Sequence, residues 1–223
     1  MDRPSDVVRV VSLCAGIGCT DLALGLVLGR RARGILHVER EASAAFVLAT
    51  AMAEGRMDPA PIWSDIRTLR AGQWRGAVDC VVAGFPCTDV SNAGRREGIG
   101  GKHSGLWYEV LRCIRDMGPR IVVLENVSAL IVRGFGEVLG GLAALGYDAE
   151  WTVLRASDVG APHWRERIFI LAYRDGDGFA REWLGGLRDG GGASQRDDSH
   201  RRGSSEMEHA ASPGRTRGGG EIV

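Results

Sequence analysis

The sequence carries no net charge. Its 28 Lys and Arg balance 28 Asp and Glu over 223 residues, so no overall field draws the molecule to nucleic acid, although a local basic patch remains open to it. Lysine is nearly absent, Lys102 being the only one, an arginine preference that a GC-rich genome explains. No apolar run approaches the roughly 20 residues needed to cross a bilayer; the longest, Leu22 to Leu28, is far shorter. The polar start Met1–Asp6 has no signal-peptide core, so a cytoplasmic location without a membrane partner is expected. Cys14, Cys19, Cys80, Cys87 and Cys113 form no CxxC pair and no close Cys/His cluster. Reduced thiols and no metal site follow. There is no internal repeat.

What is present is an ordinary 44% hydrophobic content, enough for one sizeable domain. From Val7 to about Tyr173, short β-rich runs alternate with amphipathic stretches. Strands are expected at Val7–Cys14, Gly34–Glu39, Ile62–Ser64, Ala77–Ala83, Arg120–Glu125, Glu150–Ala156 and Ile168–Tyr173. Helices are expected at Asp21–Gly29, Glu41–Glu54, from Ser104 to Met117, and at Phe135–Leu145. Aliphatic strands separated by helices indicate an α/β, doubly wound and largely parallel sheet, with ligands beyond the carboxyl ends of its strands. Residues 174–223 differ: a dozen glycines, mixed charge and few large apolar side chains. The expected organisation is a domain over 1–173 and a disordered tail or linker over 174–223.

Cys14-Ala15-Gly16-Ile17-Gly18 follows the first strand and opens a helix, where glycines let the backbone approach a ligand and the helix offers free N–H groups. Glu39, 21 positions after Gly18, suits ribose hydroxyls, and Asp65-Ile66 an adenine edge. This pattern alone fits nicotinamide, flavin and S-adenosylmethionine enzymes equally.

Gly84-Phe85-Pro86-Cys87 is more specific, because Pro86 fixes the chain just before a thiol at a strand end. Near a glycine-rich loop and several arginines such a thiol can act as a nucleophile. Glu125-Asn126-Val127 ends the fifth strand and His163-Trp164-Arg165-Glu166-Arg167 leads into the last. Cys87, Glu125 and Arg165 are spaced by 38 and 40 residues, about one βα unit each. Three strand ends on one rim would gather a thiol, a carboxylate and a guanidinium.

In their order, Ser12–Gly18, Gly84–Cys87, Glu125–Val127 and Arg165–Arg167 closely resemble the motifs of the DNA (cytosine-5) methyltransferase family, over roughly residues 8 to 173. The resemblance implies a Rossmann-like methyltransferase fold of seven strands, one antiparallel. It implies S-adenosylmethionine as cofactor and double-stranded DNA as partner. Catalysis would fall to Cys87, Glu125, Arg165 and Arg167, with Arg165 the more direct of the two arginines. Cys14, Gly16, Ile17, Gly18, Glu39, Asp65, Ile66, Gly84 and Leu106 would line the cofactor site, and Ser91, Arg95, Arg96 and Lys102 would meet DNA. The expected reaction is methyl transfer to C5 of a flipped-out cytosine through a Cys87 adduct, in restriction-modification or phage protection, inside a bacterial or phage-infected cell.

Several positions depart from the family's pattern. Thr88 replaces a common glutamine, Cys19 a common second glycine, Arg40 an aromatic, and His163-Trp164 a Gln-Arg or Gln-Lys pair. None removes a reacting group. Nothing after Tyr173 matches the family's target-recognition domain or its two last motifs. The alternative is therefore a truncated, inactive or split-enzyme subunit that binds cofactor or DNA and needs a second polypeptide carrying the target-recognition domain. Transfer RNA, the substrate of one branch of the family, is a third reading.

Overall fold

The computed structural model describes residues 7–86 and 105–174. Cys87, Ser91, Arg95, Arg96, Lys102 and all but the first residue of the 174–223 segment lie outside the described residues.

Seven strands form one sheet: β1 (Val8–Leu13), β2 (Ala32–Val38), β3 (Ile62–Trp63), β4 (Cys80–Ala83), β5 (Ile121–Val127), β6 (Tyr147–Arg155) and β7 (Glu166–Arg174). Their order is β3-β2-β1-β4-β5-β7-β6. The first five pair in parallel, whereas β7 runs antiparallel to both β5 and β6. This is the S-adenosylmethionine-dependent methyltransferase arrangement: a doubly wound sheet with one reversed strand.

The buried strands β1 and β4 are aliphatic on both faces, as a parallel sheet with covered faces requires. Among the described residues five α-helices accompany them: α1 (Cys19–Leu28), α2 (Ala42–Ala53), α3 (Leu106–Met117), α4 (Leu130–Arg133) and α5 (Phe135–Ala144). In α3, Trp107, Val110, Cys113, Ile114 and Met117 recur at helical spacing and are all buried, while Gly118 ends the helix in the left-handed region at φ 63°. These side chains join Leu124, Leu142, Ile168 and Ile170 in the larger core. A smaller apolar group, Val8, Val10, Leu28, Cys80, Val82 and Ile121, lies on the other face beneath α1.

Several boundaries differ from the sequence expectation: β4 starts at Cys80 rather than Ala77, β6 at Tyr147 rather than Glu150 and β7 at Glu166 rather than Ile168. β2 starts at Ala32 rather than Gly34, since Ala32 and Arg33 pair with Val8 and Arg9, and the register then slips between Val10 and Val11. α4 had no periodic signal, since four residues are about one turn.

Candidate active site

The carboxyl ends of β1, β2, β4 and β5 lie side by side, as the register requires, with Leu13 opposite both Val38 and Ala83, and Ala83 opposite Leu124. The side chains expected to act follow immediately after these positions.

After β1 the chain turns sharply. Cys14 sits at φ 53°, the one non-glycine residue with positive φ among the described residues, and Gly16 and Gly18 follow at 56° and 83°. A β-carbon costs about 1–2 kcal/mol in this left-handed region, so Cys14 holds strain where strained residues tend to cluster, at a binding turn. At Gly18 a side chain would also meet Leu48 Cδ2 and Met57 Cε at 2.9 Å. The turn is fastened twice: the Ala15 N–H donates to the Val38 carbonyl at 3.0 Å, and the Gly16 N–H donates to Glu39 Oε2 at 2.7 Å. Glu39 Oε1 accepts from the Glu41 N–H at 2.7 Å. Glu39 thus shapes the turn, and each of its oxygens retains a lone pair for a ligand hydroxyl. Burial, then Glu39, pushes the Cys14 thiol up to about 12, so it is no nucleophile.

Asp65 caps a short 3₁₀ turn over Ile66–Thr68 by accepting from the Arg67 N–H at 3.0 Å. Ile66 is buried in the core, so it offers a ligand backbone more than side chain. Arg112, which sequence reading did not single out, reaches across from α3 and donates to the carbonyls of Ile66 at 2.8 Å and Leu69 at 3.1 Å. Glu109 at 2.7 Å and Asp116 at 3.6 Å orient its guanidinium. An arginine at a buried-facing helix position was the available signal, but only tertiary structure names its partners. Leu106, at the start of the same helix, is half-buried against the core, and Ile17 is exposed.

At the centre of the rim, Glu125 Oε1 meets Arg167 Nε at 2.8 Å. A β-carbon on Gly84 would stand 3.4 Å from Glu125 Oε2 and 3.8 Å from the Cys14 carbonyl oxygen. The bare glycine thus joins the two halves of the site, and any side chain there would fill the space between turn and carboxylate. Asn126 is buried; its Nδ2 donates to the Phe85 carbonyl at 3.0 Å and its Oδ1 accepts from the Val127 N–H at 2.8 Å. It thereby fixes the chain two residues before Cys87. Phe85 in turn packs on Trp107, ring centroids 5.2 Å apart.

Of the two arginines, Arg167 touches Glu125, whereas Arg165 is exposed at the head of β7 with its backbone N–H on His163 Nδ1 at 3.4 Å. The intervening Glu166 points elsewhere, pairing with Arg155 at 2.9 Å. Alternation along a strand explains this, since residues 165 and 167 share a face that residue 166 does not. The structure therefore joins Gly16 to Glu39 and Glu125 to Arg167 by direct contacts, and sets Gly84 between the Cys14 carbonyl and Glu125. Among the described residues no His, Cys, Asp or Glu cluster could hold a metal ion.

Comparison with known proteins agrees with this layout. The family model for C-5 cytosine-specific DNA methylase matches residues 8–185. The chain is 36% identical over 120 residues to the type II methyltransferase M.CviJI of Paramecium bursaria Chlorella virus IL3A, covering 53% of this chain and 33% of that protein. It is 31% identical over 179 residues to the type II methyltransferase M.Bsp6I of Bacillus sp. (strain RFL6), covering 76% of this chain and 53% of that one. The chain thus spans between a third and about half the length of these two relatives. The S. pombe Dnmt2 methyltransferase superposes with a TM-score of 0.60 at 21% identity, over 75% of this chain and 50% of that one. A putative DNA modification methyltransferase from an E. coli prophage superposes with 0.58 at 20%, over 75% and 47%. Motifs, strand order and family model converge: the chain belongs to the C-5 cytosine-specific DNA methylase family.

Proposed function

We propose that this chain transfers a methyl group from S-adenosylmethionine to C5 of a cytosine in double-stranded DNA, with Cys87 as the nucleophile. The observation that carries the reading is the Glu125–Arg167 pair set across bare Gly84 from the Cys14–Gly18 turn. A base-binding carboxylate and a cofactor turn are thereby neighbours on one rim.

The residues suit the cofactor. No atom lies within 4 Å of where a Gly16 β-carbon would be, leaving room above the turn, and Glu39 supplies acceptors for ribose hydroxyls. Cys14, Ile17, Gly18, Asp65, Ile66 and Leu106 would border the remainder. When bound, the cofactor supplies an electrophilic methyl group.

The target base would be turned out of the duplex to reach this rim. Glu125 accepts from the exocyclic amino group and, when protonated, donates to N3. Arg167 holds Glu125 in place, and Arg165, on the same strand face, is free to take the base carbonyl. The Cys87 sulfur forms a bond to C6, which makes C5 electron-rich. C5 would then accept the methyl group the cofactor supplies, the methyl–sulfur bond breaking to leave S-adenosylhomocysteine, and loss of the C5 proton to a base would break the C6–S bond and release Cys87 as thiolate. Asn126 serves the nucleophile indirectly by fixing the Phe85 carbonyl. Ser91, Arg95, Arg96 and Lys102 are assigned to the DNA backbone. The type II relatives support a place in restriction-modification, and hence in the cytoplasm.

Radiolabelled methyl transfer to duplex DNA, set beside transfer RNA, tests the substrate. Trapping on DNA containing 5-fluorocytosine tests the chemistry, because fluorine at C5 cannot leave as a proton does. The expected result is an SDS-resistant adduct that Cys87→Ser abolishes. No adduct, even with a complementing C-terminal fragment, would sink the proposal.

One observation favours activity that depends on a second polypeptide. Among the described residues, the face of the sheet beneath α1 is thinly covered: Val123, Phe169 and Leu171 are only partly buried, and α1 exposes Leu22, Leu26 and Val27, Leu26 to 87%. A monomer seldom leaves so much apolar surface together. A chain carrying target-recognition and closing segments would cover it, and co-expression should then raise methyl transfer.

A further inference from the structure

A buried polar cluster lies directly beneath the cofactor turn. Ser12 and His37 are register partners on adjacent strands β1 and β2. Both are nearly inaccessible, at 2% and 1%. Ser12 lies two residues before Cys14 and His37 two before Glu39, on the strand face that Val8 and Val10 share with Ser12. Asp21 descends on the same side from the first turn of α1, three residues after Gly18. The Ser12 hydroxyl donates to Asp21 Oδ2 at 2.9 Å, and His37 Nδ1 stands 3.7 Å from Asp21 Oδ1. That nitrogen is buried and has no hydrogen-bond partner among the described residues.

Burial pushes the Asp21 carboxyl up and the His37 imidazole down, with the attraction between the two opposing each shift. Polar groups are costly in such a place unless they serve one another. A small aliphatic trio would pack this junction more simply. What the polar trio adds is direction, since it ties β1, β2 and the start of α1 at one point. Those are the three elements whose ends form the turn and carry Glu39.

We propose that Ser12, Asp21 and His37 are positioning residues for the cofactor turn, holding the first turn of α1 against β1 and β2 so that the Gly16 N–H and Glu39 keep their mutual geometry. They touch no substrate; they act through Cys14–Gly18 and Glu39. The proposal rests on the reading of that turn as the S-adenosylmethionine site.

The test uses the full chain and two readouts. Amide hydrogen exchange on the free protein reports the hold on segment 14–22, and calorimetry with S-adenosylhomocysteine reports ligand affinity. In Ser12→Ala exchange over 14–22 should rise about five- to tenfold, the scale of one lost hydrogen bond, and His37→Gln, which removes the imidazole 3.7 Å from the Asp21 carboxylate, should raise it in the same segment. Exchange in α3 and α5 should be unchanged, and S-adenosylhomocysteine should bind more weakly by a similar factor. The double variant should lose less than the product of the single losses, because both partners act through Asp21. If His37→Gln does not fold, Ser12→Ala, which removes only a hydroxyl, carries the test. Unchanged exchange over 14–22, or a rise spread evenly along the chain, would overturn the proposal, as would locally raised exchange with unaltered affinity. A wild-type chain that binds no S-adenosylhomocysteine, with variants that still loosen 14–22, would overturn the cofactor reading and leave the hold of the cluster established.

Discussion

The two faces of the sheet are unequal. On one, α3 and α5 press Trp107, Ile114, Met117 and Leu142 against Leu124, Ile168 and Ile170, every one at most 1% exposed. On the other, α1 is the one helix among the described residues that stands over the centre of the sheet. Val8, Val10, Cys80 and Val82 are buried there, yet Val123 and Leu171 remain partly open, and the outward side of α1 is apolar. The covered face shows what holds the chain together, and the open face is where the proposed second polypeptide would sit. The site lies on the rim between them: Phe85 and Cys14 pack on the covered core and Asn126 is tied to the Phe85 carbonyl, while Asp21 and Ser12 join the turn to the thin face.

The largest effect should separate the faces directly. Trp107→Ala removes a wholly buried indole from the larger core and should cost about 3–5 kcal/mol, as large-to-small aromatic substitutions do. Leu171→Ala on the open face should cost about 1 kcal/mol, because much of its surface already meets solvent. Urea unfolding measures both; equal losses would break the comparison.

Arg112→Met comes next. It removes two charge-assisted hydrogen bonds to the Ile66 and Leu69 carbonyls, each worth about 1.5–3 kcal/mol at most, while keeping an apolar stem against the core. The expected loss is about 2 kcal/mol in local stability, read as faster amide exchange over residues 65–69, with S-adenosylhomocysteine bound about tenfold more weakly. Arg112→Lys should recover part of it. Global unfolding at an unchanged 65–69 segment would show that Arg112 serves the covered face and not the rim.

A smaller effect is expected on the outside of α1. Leu26→Glu changes a side chain 87% exposed and should move stability by no more than about 0.5 kcal/mol. Its consequence belongs to assembly: complementation by a C-terminal fragment should fall while the chain alone stays as stable. Full complementation by Leu26→Glu would place the second polypeptide elsewhere.

Most of this architecture was legible in the residues. Aliphatic β1, β4 and β5 and the helical spacing of Trp107, Val110, Ile114 and Met117 name the sheet and the covered face, because burial on both sides leaves no other pattern. The motif order gave the rim, since each motif ends a strand. Three things were not legible. Arg112 finds Ile66 and Leu69 about 45 positions away, which no local pattern encodes. The preference of Glu125 for Arg167 over Arg165 depends on the antiparallel register of β5 and β7, where Glu125 faces Phe169 and Val127 faces Arg167. The polar cluster of Ser12, Asp21 and His37 hides in a strand, a strand and a helix that each read as ordinary.

The finest comparison needs no substitution, because each face carries its own buried thiol. Cys80 belongs to the thin face and Cys113 to the covered one, both at 0% exposure. Burial is the first cause that raises both thiols, Cys113 to about 11. At pH 8 the folded protein therefore holds almost no thiolate at either position, since a pKa of 11 leaves about one part in a thousand. Alkylation must wait for a local opening that restores an ordinary thiol, so its rate reads the opening equilibrium of each face. Among the described thiols, exposed Cys19 should react with iodoacetamide first. Of the two buried thiols, Cys80 should react about three- to tenfold faster than Cys113, because lifting α1 exposes less apolar surface than parting α3 and α5 from the sheet. A covering polypeptide should slow Cys80 and leave Cys113 unaffected. Equal rates, or Cys113 ahead of Cys80, would mean that the two faces open as one unit and that the inequality between them has no energetic meaning.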